Sequence, residues 1–270
     1  MAMDIIDYKI FGNDTQFVEV ELDPGEAAVG EAGAMMYMED GIAMDTVFGD
    51  GSSQQRGFWG KLVGAGKRLV TGESLFTTVF SNQGNGKRKL AFAAPYPGTL
   101  IPVHLPDVGG TLICQKDSFL CAAKGVSLGI EFQRKLGVGL FGGEGFVMQR
   151  LEGDGLAFIH AGGTLYERDL QPGEILRVDT GCIVALTRSV SYDIQYVGGL
   201  KSALFSGEGL FFAVLQGPGK VWLQSLPLSR MANRIVMAAP AIGGRSSEQG
   251  SLLGGVAAGG LLGGILGDDE

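Results

Sequence analysis

LDPGE at Leu22–Glu26 returns as LQPGE at Leu170–Glu174, and a worn form, LPDVGG, begins at Leu105. Each copy follows alternating apolar positions and precedes a β-type run, so one turn is used repeatedly along the chain. A second landmark keeps the same order: GESLF from Gly72, GEGFV from Gly143 and GEGLF from Gly207. After each comes a strand, a Gly-rich turn and another strand. The turns are NQGNGK around Gly84, EGDG around Gly153 and QGPGK around Gly217, loop chemistry that predicts short hairpins between antiparallel strands.

Alternation and β-branched residues predict strands through Phe17, Val18, Val20 and Leu22, through Ile175, Leu176 and Val178, through Ile183, Val184 and Leu186, and across Ser191–Gly199. Helical spacing is confined to Phe58–Val70, Glu131–Phe141 and Leu200–Phe205. The predicted fold class is therefore all-β. Three diverged repeats, at about residues 16–98, 99–163 and 164–228, would form a pseudo-threefold barrel-like or double-stranded β-helix arrangement that buries faces a single unit leaves exposed. Residues 1–237 read as one domain, and 238–270 as a Gly/Ala/Leu-rich tail.

Composition narrows the function classes. The formal charge of −8 disfavours contact with phosphate backbones, so no nucleic-acid partner is expected. Forty-six glycines, far above the roughly 7% usual in globular chains, imply many turns and bulges. Cys114, Cys121 and Cys182 form neither a CxxC pair nor an even set and read as buried thiols in a reducing compartment. Asp4 and Asp7 stand where a signal peptide would carry positive charge, which predicts a cytoplasmic protein.

The ordered turns, the Gly-Glu landmarks and the segment GFWGKLVGAGKRLVTGES at Gly57–Ser74 together resemble the bacterial and archaeal family related to the mitochondrial altered-inheritance proteins. The resemblance spans about residues 3–237. That family is classed with a fold similar to the tryptophan RNA-binding attenuation protein. The resemblance implies a β-fold and self-association. It does not bring RNA binding with it, because the basic residues of the attenuation protein have no counterpart that can be mapped here.

Catalytic and cofactor motifs are weak. His104 and His160 are the two histidines of the chain, too few ligands for a cupin-type metal centre. No nucleophile–base motif is present. Gly137, Gly139 and Gly142 fit GxGxxG, but the following GEGFVMQRL reads as a strand rather than the helix a dinucleotide site requires. GAGKR at Gly64–Arg68 lacks the first glycine and the hydroxyl residue of a phosphate loop. No catalytic residue, metal or cofactor is expected, and the chain reads as a non-enzyme.

Glu73, Glu144 and Glu208 follow the three landmark glycines. They could converge as oxygen ligands for a cation; local chemistry favours turns whose carboxylates accept backbone N–H bonds. Phe58, Trp59 and Leu62 read either as a core segment or as a docking surface. Lys87, Arg88 and Lys89 read as a solvated hairpin tip. Gly250–Gly267 carries no charge and ends in Asp268, Asp269 and Glu270. It approaches the roughly 20 apolar residues of a membrane span, though its glycines weaken a helix. The expected partners are further copies of the chain, with the tail as a candidate membrane contact. The alternative is a small-ligand or metal-ion-binding module, a degenerate relative of the cupins.

Overall fold

The computed structural model describes residues 5–31, 33–48, 76–134, 146–196 and 211–238. The chain opens with β1 (Asp7–Phe11), β2 (Phe17–Leu22), β3 (Ala27–Glu31), β4 (Met35–Met38), β5 (Ile42–Phe48), β6 (Phe76–Asn82) and β7 (Arg88–Ala93). It continues with β8 (Gly98–His104), β9 (Thr111–Gln115), β10 (Phe119–Ala123), β11 (Ser127–Arg134), β12 (Phe146–Glu152) and β13 (Leu156–Gly162). The last strands are β14 (Leu165–Leu170), β15 (Ile175–Asp179), β16 (Ile183–Thr187), β17 (Ser191–Tyr196), β18 (Phe211–Gln216) and β19 (Gly219–Gln224), followed by α1 (Leu228–Ala238).

These strands form four sheets, ordered β1-β2-β7-β4, β5-β6-β3-β10-β13-β8, β11-β12-β9-β16-β19-β14 and β15-β18-β17. Adding six to every label of the second sheet gives the third. The half β5-β6-β3 recurs as β11-β12-β9 and as the fourth sheet, and β10-β13-β8 recurs as β16-β19-β14 and, in the first sheet, as β4-β7-β2. A bulge travels with the pattern. Pairing slips between Phe119 and Cys121 in β10, between Ile183 and Ala185 in β16 and between Met35 and Tyr37 in β4.

Burial follows from alternation. In β2, Val18, Val20 and Leu22 point inward while Glu19 and Glu21 point outward. By contrast β9 and β10, with sheets on both faces, are buried along their whole length, which is why they read as continuous apolar runs. One core joins the first and second sheets through Val20, Leu90, Phe92, Phe80 and Phe158. Val29, Ile159, Leu112, Leu151 and Trp222 join the second and third, and Ile113, Met148, Val178, Ile194 and Leu215 the third and fourth.

The repeated Pro-Gly-Glu motif forms one turn twice. Proline presets the second position and glycine takes the left-handed third, at φ 90° for Gly25 and 77° for Gly173, as a type II turn requires. Glu26 N donates to the Asp23 carbonyl at 3.0 Å, and the Glu26 carboxylate accepts from Asp23 N at 2.8 Å. Glu174 does the same with Gln171, at 2.9 and 2.8 Å. In the worn copy a 3-10 turn at Leu105–Val108 replaces it.

Several expectations are corrected. The Gly-rich turns are not hairpins: the one after β6 crosses from the second sheet to β7 of the first, that after β12 from the third to β13 of the second, and that after β18 from the fourth to β19 of the third. Such arches stack sheets instead of curling one sheet round, so the described strands form open sheets and no closed barrel. Glu131–Arg134, expected to be helical, ends β11. The other residues expected to be helical lie outside the described residues. Conversely α1 was not anticipated; it starts after Pro227, whose carbonyl accepts from Arg230 and Met231 N. Met1–Asn233 forms one compact unit containing the sheets, and Arg234–Glu270 a second, described only as the end of α1.

Close packing of the first two sheets depends on Gly30, where a Cβ would collide with the fully buried Phe92 ring. Gly30→Ala is expected to cost about 1–3 kcal/mol in urea unfolding, the range for overpacked cores. Adding Phe92→Leu should recover part of that loss, a coupling read from the double-mutant cycle.

Candidate functional site

At one end of the second sheet the chain buries several polar groups together. Glu31 ends β3, a 3-10 turn at Lys116–Ser118 precedes β10, His160 lies near the end of β13, and Tyr96 precedes β8. Antiparallel pairing of Gly30 with Cys121, Phe119 with Ile159 and Gly162 with Gly98 brings these strand ends to the same edge of the fold. The Tyr96 and His160 rings meet edge to face at 4.6 Å.

The electrostatics are set by one half-buried carboxylate, Glu31, with the exposed Asp117 near it. Burial, reinforced by the negative charge of Asp117 and partly offset by Lys116, pushes Glu31 up to about 7. Burial together with Asp117 and Glu31 pushes the Tyr96 hydroxyl up to about 12. Burial, with Glu31 adding to it, also raises the Cys114 thiol to about 12, so it is inert. His160 is lowered to about 4 by burial, against a weaker opposing pull from the Tyr96 backbone. The Tyr96 hydroxyl, both His160 nitrogens and the Ser118 hydroxyl complete no hydrogen bond, an arrangement that costs about 1–3 kcal/mol for each group left unsatisfied.

Sequence reasoning singled out His160 but not Glu31, Tyr96 or Asp117. A carboxylate closing the otherwise apolar run AAVGE was the available signal. His104 is elsewhere: it is exposed at the other end of β8, with Nδ1 3.3 Å from Asp107. Leu156 pairs with His104 and Leu100 with His160, so the two imidazoles stand about 13 Å apart along the strands and share no site. Glu73, Glu144, Glu208, Phe58, Trp59 and Leu62 lie outside the described residues, as do both glycine motifs. In chain order the three glutamates fall in the connections β5–β6, β11–β12 and β17–β18. Among the described residues no group of three or more His, Cys, Asp or Glu is placed to hold a metal ion. Lys87 and Lys89 are ion-paired on the first sheet, to Glu21 at 2.7 Å and Glu19 at 2.8 Å, rather than standing free at a hairpin tip.

Fold and site define an all-β protein whose sheets are assembled from parts lying far apart in sequence, and among the described residues Glu31, Tyr96 and His160 meet at the end of one of them. The chain belongs to the family described as mitochondrial biogenesis AIM24, whose model matches residues 8–226. An uncharacterized protein of Streptococcus pyogenes serotype M6 is 32% identical over 222 residues, 81% of this chain and 84% of that protein. A crystal structure of a Streptococcus pyogenes protein from a structural genomics consortium superimposes with a TM-score of 0.68 at 26% identity, over 87% of this chain and all of that one.

The cluster gives opposed pH dependences. Glu31 titrates near 7 when folded against 4.5 in its ordinary state, so its contribution to stability falls as pH rises through that interval. His160 titrates near 4 against 6.5, so its contribution falls as pH drops from 6.5 towards 4. Each is expected to contribute about 2–3 kcal/mol. Relative to the parent, Glu31→Gln should gain stability as pH rises from 4.5 to 7, and His160→Gln should gain it as pH falls from 6.5 to 4. Urea unfolding across pH 4–8 checks both signs, and differences that stay constant with pH would reject the assignment.

Proposed function

We propose that the protein is a non-enzymatic, self-associating β-scaffold made of three tandem copies of one sandwich, spanning β2–β7, β8–β13 and β14–β19. The observation that carries this reading is the recurrence of strand order from sheet to sheet. One copy's half-sheet is extended in plane by the next, so edge pairing between copies is how the chain already builds itself. A likeness in shape to the tryptophan RNA-binding attenuation protein belongs to this proposal, without RNA binding. So does contact with membranes through residues 238–270, which the apolar run Gly250–Gly267 supports. Among the described residues no helix is long and apolar enough to cross a membrane.

A second reading is favoured by a specific observation, the buried Tyr96, Ser118 and His160 with their unpaired polar atoms, beside the half-buried Glu31. Such a site fits a small polar molecule able to pair with a protonated carboxyl and a neutral imidazole.

Light scattering on the full chain during size-exclusion chromatography is expected to give a discrete oligomer at micromolar concentration. A monomer at every concentration would reject the scaffold. A thermal-shift screen of small polar compounds addresses the second reading, because a ligand of the native state raises the melting temperature. Shifts that persist unchanged in Glu31→Gln and His160→Gln would place binding elsewhere.

A further inference from the structure

Among the described residues the strand pattern leaves two edges unpaired, and they are complementary. Within the chain β3 pairs with β10, and β9 with β16. By the same order the equivalent of β3 and β9 in the last copy is β15, and the equivalent of β10 and β16 in the first copy is β4. Those two strands are sheet edges. Among the described strands β5, β11 and β17 are edges in all three copies, as are β8 and β14; of these strands only β4 and β15 are edges where their counterparts are interior.

Burial records the difference. Ala27, Ala28 and Val29 of β3 are at most 1% exposed, whereas Ile175 at the matching start of β15 is 55% exposed. The bulged residues Leu120 and Val184 are buried at 1% and 0%, while their counterpart Met36 is 54% exposed and Met38 is 38% exposed. Neither strand carries the lysine or proline by which natural edges are blunted.

We propose that a second copy of this chain supplies the missing partner, β15 of one copy pairing antiparallel with β4 of the other to form a composite sheet in the order of the second and third sheets. This rests on the scaffold reading and gives it an interface. Register follows from the internal pairs. Gly30 faces Cys121 and Cys114 faces Ala185, while Val29 faces Ala122 and Ile113 faces Leu186. Carried through the shared turn and bulge, Val178 faces Tyr37 of the other copy and Arg177 faces its Met38. The contact is heterologous, so it closes into a ring or propagates; two copies already satisfy both edges if their two contacts close on each other.

Two sets of full-chain variants test this, all with Cys182→Ser, since Cys114 and Cys121 are buried. Differently tagged Met38→Cys and Arg177→Cys chains, mixed and mildly oxidised, should give a disulfide-linked heterodimer, whereas Met38→Cys with Val214→Cys should not. Met36→Lys with Ile175→Lys alters side chains that are exposed in one copy, so the fold should hold by circular dichroism. The midpoint concentration for dissociation should rise at least tenfold. An oligomer that neither cross-links nor responds to the lysines would overturn this interface while leaving self-association standing. A parent chain that is monomeric throughout would remove both. An internal disulfide in the Met38→Cys/Arg177→Cys double variant, with no linked dimer, would show that the edges meet within one chain and would equally overturn the proposal.

Discussion

The antiparallel pairings of β3 with β10 and of β9 with β16 are what the rest of this structure depends on. Each is a short ladder, yet each welds two half-sheets into one six-stranded sheet. The six-stranded sheets in turn present two apolar faces, to which the neighbouring sheets pack. Without the ladder, the buried edges of β9 and β10 would keep backbone N–H and C=O groups with no partner. Small residues at the junction, including Ala28, Gly30, Ala122 and Ala123, let the flanking sheets approach, and the Phe92 ring fills the space that Gly30 leaves. Sequence enters here through absence of bulk: close approach of two sheets needs a position without a side chain.

The polar cluster lies at the end of one such sheet, where the ladder runs out. Tyr96, Ser118 and His160 break the rule that buried polar groups are paired, and they break it together beside the half-buried Glu31. The equivalent of His160 in the third sheet shows what a satisfied arrangement looks like. Gln224, opposite Leu165 as His160 is opposite Leu100, accepts from Gly162 N at 2.7 Å and donates to the Gly181 carbonyl at 2.8 Å. A glutamine thus bridges two backbone strands where the imidazole bridges none. Departures from local consistency of this kind concentrate at functional positions, and the contrast within one chain is what makes the cluster the second functional reading.

Much of the strand content was legible because most strands keep one wet face: FVEVEL alternates, and so does SYDIQY. Of the buried strands, β16 was legible from Ile183, Val184 and Leu186, while β9 and β10 were not read as strands. What the sequence hid was which sheet each strand joins. NQGNGK, EGDG and QGPGK have hairpin chemistry, but a turn's residues set its local φ and ψ and not whether the next strand returns alongside or crosses to another layer. The helix at Leu228–Ala238 was legible and was missed: Leu228, Met231, Ala232 and Ile235 keep the i, i+3, i+4, i+7 spacing of one helix face, with Arg230, Asn233 and Arg234 between them. Of the site, His160 stood out by its rarity, whereas Glu31 and Asp117 resemble any surface acid until the strand ends are brought together. The landmark glutamates were conspicuous as repeats, and repetition reports common descent of three units more directly than it reports shared chemistry.

A linear array of like units must deal with its ends, because the surface that joins each copy to the next is left over on the first and the last. This chain deals with its faces and not with its edges. The outward side of the first sheet carries Glu19 and Glu21 paired with Lys89 and Lys87, and the Tyr37 hydroxyl donates to Glu19, a polar finish of the sort that keeps a terminal unit in water. β1 covers the far side of β2, a strand that the other copies lack. β4 has neither device on its open side, and β15 carries Arg177 and Asp179, the latter ion-paired with Arg230 at 3.5 Å. On the proposed reading, the polar finish of one surface of the first sheet and its lack on the adjoining β4 edge separate a side that faces water from a side that a second copy would join.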